Sequence, residues 1–420
     1  MKNLKGKKIL ILGGNFLSKD IVNAAKYLGV YTIVTDWYDE DCSPAKTIAD
    51  EAWNVSITDY NILSKLIKEK SIDGIITGFT DSYLLPYEHL CELNGLPCYA
   101  TAEQFNITLD KDLFKKACIA NNVPVVPEFD INDFDKSILS AQNKVIIKPV
   151  DNSGSRGICI CDNPSEFEEK LNYSLSFSES NHVLLEKYMD CDDVSFEYKI
   201  QDGKIFLSSI CDRYIYKTTA FGSVTSKLIY PSKYTDQYLR DIDTNVKQMF
   251  KQLGLKNGVL FMQAFVENGN FYFYEMGYRL SGGRHFIFTE NQNNSSSVKE
   301  LIHFAITGKM DEERIALKSN PLFKQICCQL SVLCKSEKIY KIYGKEWISS
   351  TPEIIDVLYT YKEGDIVGAQ GTSAQIVARF HIVASDEKHL NGIIKRIKEH
   401  FIIVNANGDN IIIENNEESC

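Results

Sequence analysis

The sequence lacks any apolar run that approaches the roughly 20 residues a membrane-crossing helix needs. Residues 1–8 lead into only a short apolar stretch, too short for the core of a signal peptide. The formal net charge of −10 argues against nonspecific binding to nucleic acid or to an anionic membrane, because their phosphates would be repelled. We therefore expect a soluble, cytoplasmic protein with neither kind of partner.

Paired metal-ligand spacings are also absent from the 12 cysteines. Cys159 with Cys161, and Cys327 with Cys328, look like strand positions rather than zinc ligands. Isolated cysteines in apolar segments are usually small buried hydrophobic residues in a reducing compartment. We expect neither a disulfide framework nor a zinc site.

The 420 residues, 44% of them hydrophobic, suffice for about two to four globular domains. Toward the N-terminus, short apolar runs alternate with amphipathic helical patterns. The apolar runs are residues 7–12, 31–35 and 72–77. Such alternation predicts an open parallel α/β sheet covered on both faces, and the unit closes near Thr101.

From Asp110 onward the pattern changes to helices mixed with long strands. Two strands meet at Asp202-Gly203, and two more meet around Asn268-Gly269, a strong hairpin signal. Residues 237–253 have the apolar spacing of one amphipathic helix. The remainder, beyond about Gly308, reads as a mixed α+β region.

The pair Gly13-Gly14 after the first strand raises the possibility of a dinucleotide site. The third glycine of the G-x-G-x-x-G fingerprint is missing, and Asp36, which closes the second strand, is a lone acid of a common kind. A strand-to-helix turn that needs glycine for its backbone explains the pair better.

A lysine beside a small-residue loop is the first candidate for phosphate chemistry. Lys148 ends an apolar strand, where we expect it to be exposed, and a loop rich in glycine and serine follows over residues 149–157. Free backbone N–H groups in such a loop can wrap phosphates. There is no Gly-Lys-Ser/Thr, so it is not a Walker loop, and an ordinary exposed loop is an equal alternative.

Further acidic and basic groups stand in strands. Residues 184–189 run into a polar turn before Asp193, a segment able to read an adenine edge. Glu275 lies in an aromatic strand close to Arg279 and Arg284. A carboxylate there is costly unless it is paired with an arginine or bound to a cation such as Mg²⁺.

The order of these elements resembles the ATP-grasp superfamily, in particular the carbamoyl-phosphate synthase large chain and related amino-acid ligases. The resemblance covers nearly the whole chain. It implies an N-terminal open parallel α/β domain over residues 1–105 and an ATP-grasp domain over residues 106–308, with a small lid within about 110–188. A C-terminal α+β lid over residues 309–420 completes this α/β and α+β fold.

The resemblance also implies roles for individual residues. ATP phosphates would contact Lys111 and Lys148, beneath a loop that contains Ser153, Gly154, Ser155 and Gly157. Adenine would contact Glu186, Lys187 and Met189, and the ribose would contact Asp193. Mg²⁺ would be held by Gln263 and Glu275. Arg279 would steady an acyl phosphate, which makes Arg279 and Lys148 the catalytic residues.

The activity implied is an ATP- and Mg²⁺-dependent ligase that activates a carboxylate as an acyl phosphate and joins it to an amine. A bicarbonate-using ATP-grasp carboxylase and an ATP-binding regulatory protein without turnover remain alternatives. The substrates would be small molecules, and a homodimer is left open. Arg213 and Arg284 are candidates to reach the carboxylate, although a structural role explains each equally well.

One departure and one geometric condition bear on the metal site. The superfamily usually places asparagine two residues after the metal-binding glutamate, where this chain has Gly277, so a second Mg²⁺ is in doubt. Side chains alternate along strands, so a plain two-residue turn would pair Glu275 with Met262 and turn Gln263 away. A shared metal therefore requires an odd-length loop, such as residues 268–270, or one β-bulge.

Overall fold

The alternating apolar runs near the N-terminus form a parallel sheet of order β3-β2-β1-β4, as predicted. We describe the protein from a computed structural model that covers residues 4–151, 157–217, 223–310 and 319–414. The strands are β1 (Lys8–Leu12), β2 (Tyr31–Asp36), β3 (Glu51–Asn54) and β4 (Gly74–Thr77), and the helices are α1 (Ser18–Tyr27), α2 (Tyr60–Lys70) and α3 (Leu84–Asn94). Thr101 caps the next helix, α4 (Ala102–Leu109), in a capping box with Gln104.

A small antiparallel sheet follows helix α5 (Lys111–Ala120) and has its own apolar core. Its strands are β5 (Glu128–Phe129), β6 (Val145–Pro149), β7 (Cys159–Cys161) and β8 (Val183–Lys187), in the order β5-β8-β6-β7, and helix α6 (Phe167–Leu175) packs on it. Ser153, Gly154 and Ser155 of the predicted phosphate loop lie outside the described residues.

Long antiparallel strands build the centre of the molecule. They are β9 (Asp192–Gln201), β10 (Lys204–Lys217), β11 (Ser223–Tyr230), β12 (Gly258–Glu267) and β13 (Asn270–Gly277). The turns Asp202-Gly203 and Asn268-Gly269 both have positive φ at each residue, the conformation that two-residue hairpins prefer. Both predicted hairpins are therefore confirmed.

The single helix predicted over residues 237–253 is wrong. The structure has two helices, α7 (Thr235–Asp241) and α8 (Asp243–Gln252), which meet at Ile242. The Tyr198 hydroxyl on β9 bonds to Tyr238 on α7 and donates to Asp243 Oδ1 on α8 at 2.9 Å. We attribute the break at Ile242, where φ is −126°, to this buried network, which apolar spacing cannot reveal.

The rest of the chain packs on both sides of this centre. The helices α9 (Phe286–Asn293) and α10 (Ser297–Thr307) follow β13, and α10 contacts α1 and β4 of the N-terminal sheet. The later elements are β14 (Ile326–Leu333), β15 (Lys341–Tyr343), α11 (Lys345–Ser349), β16 (Ile354–Tyr359), β17 (Ile376–Ala384), α12 (Glu387–His400) and β18 (Ile402–Val404).

The C-terminal strands extend the central sheet rather than forming a separate one. The large sheet has the order β13-β12-β9-β10-β11-β14-β17-β16, while β15 and β18 pair by themselves. The predicted fold class of α/β and α+β parts is confirmed, and the domain boundaries stay a prediction. Within the described ranges, no helix is long and apolar enough to cross a membrane.

Candidate active site

Lys148, at the end of β6, is buried rather than exposed, so the sequence-based expectation is wrong. It is 7% exposed, and its Nζ lies 2.7 Å from Glu186 Oε2 on the neighbouring strand β8. The other oxygen of Glu186 lies 2.5 Å from Lys115 Nζ. Burial acts to raise the pKa of Glu186, but the charges of Lys148 and Lys115 outweigh it and lower that pKa. Glu186 is thus a buried carboxylate held between two ammonium groups.

Lys111 lies beside this group because it opens helix α5, whose N-terminus is capped by Asp110. Its Nζ donates to the carbonyls of Pro149 (3.4 Å) and Val150 (3.3 Å), immediately after Lys148. Burial and the nearby charge of Lys148 lower the pKa of Lys111, whereas Glu275 and other acids act to raise it. Lys111, Lys148 and Glu275 therefore lie within electrostatic reach of one another.

The residues predicted to contact adenine lie at the end of β8. The Nζ atom of Lys187 lies 2.8 Å from Glu267 Oε2, and Met189 is buried. The carboxylate of Glu186 faces the two lysines described above. Any adenine contact at Glu186 and Lys187 thus falls to the backbone, and the adenine role of this segment stays a prediction.

Gln263 and Glu275 are direct cross-strand partners on β12 and β13. Glu267 pairs with Asn270 across a two-residue turn, so the predicted odd-length connection over residues 268–270 does not occur. Instead the register shifts between Gln263 and Ala264, which leaves Tyr274 as the extra residue of a β-bulge. The bulge that a shared site requires is confirmed, although it lies within the strand rather than at the turn.

A polar network centred on Arg213 holds the side chain of Gln263. Arg213 Nη1 on β10 donates to Gln263 Oε1 at 2.9 Å, to both oxygens of Asp193 at 2.9 and 3.2 Å, and to the Tyr274 hydroxyl. Burial raises the pKa of Asp193 to about 6, against the lowering effect of Arg213. Arg213 is therefore committed to this network and not available to a substrate. The ribose role of Asp193 stays a prediction, since both carboxylate oxygens already have partners.

Glu275 itself is exposed and makes neither a hydrogen bond nor an ion pair with any described residue. The alternative of a structural pair between Glu275 and Arg279 is wrong, because Arg279 binds Asp81 through two contacts of 2.6 Å. Arg279 is 7% exposed, and its Nη1 donates to the Leu280 carbonyl. The partner of Arg279 thus comes from the N-terminal unit, and Glu275 is left open to a cation.

Arg284 is buried and joins two other parts of the chain through ion pairs. It adopts φ +51° and is 2% exposed, and its guanidinium binds Asp20 on α1 and Asp356 on β16 at 2.6 to 2.8 Å. Its charge is compensated by these two carboxylates, one from each flanking part of the chain. This arrangement favours the structural interpretation of Arg284 over a substrate-binding role.

Arg379 on β17 is a candidate that the sequence did not reveal. Its Nη1 donates weakly to the Gly282 carbonyl at 3.4 Å, its Nε is buried without a hydrogen-bond partner, and it forms no ion pair within the described ranges. Burial and the charge of Arg284 lower the pKa of Arg379 to about 10. A partly buried cation that has no carboxylate partner among the described residues, close to the loop after Arg279, suits an anionic ligand.

The glycine pair near the N-terminus is closed to a dinucleotide. The Gly14 N–H and the Ser43 hydroxyl both donate to Asp36 Oδ2 at 2.7 Å, and Lys46 Nζ lies 2.9 Å from Oδ1. A Cβ on Gly14 would overlap Ser43, and one on Gly13 would overlap a tyrosine ring. The glycines are needed for close packing, and Asp36 has no free oxygen for a ribose.

Comparison with known proteins agrees with this geometry. Residues 141–285 match a family model described as an ATP-grasp domain, and this span contains Lys148, Glu186, Gln263 and Glu275. This stretch of the chain is therefore similar to an ATP-grasp domain. A formate-dependent phosphoribosylglycinamide formyltransferase of Sulfurisphaera tokodaii is 28% identical over 197 residues, which are 44% of this chain and 48% of that enzyme. The chain spans about half the length of such curated relatives.

Solved structures show the same fold over a longer stretch. An L-amino acid ligase from Bacillus licheniformis superimposes with a TM-score of 0.78 at 16% identity, over 95% of this chain and 99% of that one. A second match is the biotin carboxylase domain of the Hydrogenobacter thermophilus 2-oxoglutarate carboxylase, solved with MgADP and bicarbonate. Its TM-score is 0.74 at 19% identity, over 96% of this chain and 91% of that one. The shared fold thus extends well beyond residues 141–285.

Proposed function

We propose that this protein is an ATP-dependent ligase that activates a carboxylate as an acyl phosphate and joins it to an amine. The observation that carries the proposal is the meeting of Lys111, Lys148 and Glu275 beside the small sheet. Two ammonium groups suit a polyphosphate, and an unpaired carboxylate suits the cation that accompanies it.

Mg²⁺ fits the residues present, because the Glu275 carboxylate is exposed, has no partner among the residues that the structure describes, and lies opposite Gln263. Glu275 and Gln263 would hold the ion. When bound, it supplies positive charge against the phosphate oxygens, which stabilises phosphoryl transfer.

We propose roles for the other site residues as well. Lys148 and Lys111 bind phosphate oxygens of ATP, and Glu186 orients Lys148 through their 2.7 Å contact. Lys187 and Met189 border the adenine and Asp193 the ribose. The phosphate role of the loop with Ser153, Gly154, Ser155 and Gly157 stays a prediction, because most of that loop lies outside the described residues. Arg279, fixed by Asp81, faces the transferred phosphoryl group as the acyl phosphate forms.

Arg379 is the residue we assign to the carboxylate substrate. Arg279 and Arg284 near the same loop are each neutralised by aspartates, whereas Arg379 forms no such pair in the described part of the chain. An anion entering beside Gly282 therefore meets an uncompensated charge at Arg379.

The names of the relatives support this class of reaction. They include a formyltransferase that depends on formate, an L-amino acid ligase and an N5-carboxyaminoimidazole ribonucleotide synthetase. Formate and amino acids are carboxylates, and an amino acid also carries an amine.

A phosphate-release screen tests the proposal. The protein with MgATP is mixed with single carboxylates, single amines and pairs of them, with bicarbonate in a separate series. We expect release that requires both a carboxylate and an amine, and that is lost in Lys148→Met. Release that depends on bicarbonate alone favours the carboxylase alternative, and nucleotide binding without release across the whole panel contradicts a ligase.

A further inference from the structure

The asparagine that the superfamily usually places two residues after Glu275 could not fit in this chain, because its space is filled. Gly277 pairs with Phe261 across the hairpin, and a Cβ at position 277 would overlap the Phe261 ring. The same ring lies 4.9 Å from the guanidinium carbon of Arg279, a cation–π contact. Any side chain at this position would displace the ring and the arginine that it supports.

On the other side of Glu275, the amide of Gln263 is already in use. Its Oε1 accepts a hydrogen bond of 2.9 Å from Arg213 Nη1. The opposite amide orientation would set N–H groups against a guanidinium that can only donate, so the oxygen must face Arg213. One lone pair of the amide oxygen is therefore committed to a cation within the protein.

Arg213 is rigidly placed, as a substitute for a metal ion would need to be. Its Nη1 binds Asp193 and Tyr274, and its Nη2 donates to Thr225 Oγ1 at 3.3 Å. These partners come from β9, β13 and β11, on both sides of the strand that carries Arg213. Tyr274 is the bulged residue, and its ring stacks on Phe265 at 4.4 Å between centroids.

The number of carboxylates near Glu275 also limits how many divalent cations can bind. Among the residues that the structure describes, no group of three histidine, cysteine, aspartate or glutamate side chains could hold a metal ion. Glu275 has no hydrogen-bond or ion-pair partner among the described residues, and the charge of Asp193 is offset by Arg213. Two divalent ions would have too little negative charge from the protein to hold them.

We propose that this site binds one divalent cation, on Glu275. The guanidinium of Arg213 occupies the position at which a different set of ligands would bind a second divalent cation. The inference rests on the proposed ATP- and Mg²⁺-dependent function. Arg213 acts as a positioning residue, because it fixes Gln263 and repels a second ion from the space beside Glu275.

Mn²⁺ binding measured by electron paramagnetic resonance tests the proposal without any turnover. With a non-hydrolysable ATP analogue present, we expect one tightly bound Mn²⁺ per chain in the wild type, and weakened binding in Glu275→Gln. Two tightly bound Mn²⁺ ions overturn the single-cation inference while leaving the ligase proposal intact. Mn²⁺ binding that is unchanged in Glu275→Gln overturns the metal assignment that both share.

Substitution of Arg213 separates this positioning role from a merely structural one. Arg213→Met removes the charge and frees the oxygens of Gln263 and Asp193, so a second Mn²⁺ should bind. Arg213→Lys keeps the charge and should retain one Mn²⁺. If Arg213→Met only weakens Mn²⁺ binding, the substitution of a guanidinium for a metal is wrong. If that variant does not fold, the wild-type count still decides.

Discussion

The two lysines that hold Glu186 provide a matched pair of perturbations. Lys115→Met and Lys148→Met each remove one ammonium group from a carboxylate that is 2% exposed and leave the other in place. Removing one partner of a buried pair typically costs about 3–5 kcal/mol. Because Glu186 keeps its second lysine, we expect a loss of about 2 kcal/mol in either variant.

The assay is thermal unfolding with and without a non-hydrolysable Mg·ATP analogue. For 420 residues that unfold as one unit, a loss of about 2 kcal/mol lowers Tm by about 2 °C. Saturation at about a hundredfold above Kd adds about 2.7 kcal/mol, or about 3 °C. We expect that gain in the wild type and in Lys115→Met, and none in Lys148→Met. An equal gain in Lys148→Met refutes the phosphate-binding role.

The ion pairs of Glu186 also predict how the Tm difference between each variant and the wild type changes with pH. The folded-state pKa of Glu186 lies below its ordinary value of 4.5, so its paired form stabilises the fold above pH 4.5, and this stability is lost as the pH falls through the folded-state pKa. Either lysine substitution weakens that depression. The Tm difference from the wild type should therefore be full at pH 7 and shrink below about pH 4.5. A difference that grows on acidification contradicts the ion-pair account.

Three further predictions test the neighbouring contacts. Gly277→Ala should lower the free energy of unfolding by about 1–3 kcal/mol by overlap with Phe261, and Phe261→Leu in the same chain should recover part of that loss, as a double-mutant cycle by urea unfolding would show. Arg379→Met should raise KM for the carboxylate and leave KM for ATP unchanged, whereas the surface variant Arg396→Met should change neither. The nucleotide-induced shift in Tm should disappear when EDTA is added to the wild type. In Glu275→Gln the Tm shift should be the same with and without EDTA. Equal Tm shifts with and without EDTA in the wild type contradict the metal assignment.

Local patterns predicted the framework of this fold because the forces behind them are local. The alternating runs gave the parallel sheet, and the positions of Gly203 and Gly269 gave the hairpins. Side-chain parity alone required a bulge between Gln263 and Glu275, and the bulge is present. One local prediction that failed, the exposure of Lys148, depended on Glu186, a partner on another strand.

Long-range pairing was beyond the reach of such reasoning. Asp81 binds Arg279 across 198 positions of the sequence, and Asp20 binds Arg284 across 264. No spacing rule connects such residues, so the sequence left open a pair between Arg279 and Glu275 and a substrate role for Arg284. Arg379 was missed because it stands out only by having no carboxylate partner among the described residues, which a sequence cannot show.

Oxygen transfer between substrates tests the central claim most directly. The protein is given MgATP, an amine, and the active carboxylate labelled with ¹⁸O in both oxygens, and the released phosphate is analysed by mass spectrometry. Activation as an acyl phosphate transfers one ¹⁸O from the carboxylate to inorganic phosphate, so phosphate heavier by about two mass units should accumulate in step with the amide. Unlabelled phosphate, or label in AMP, would contradict the account.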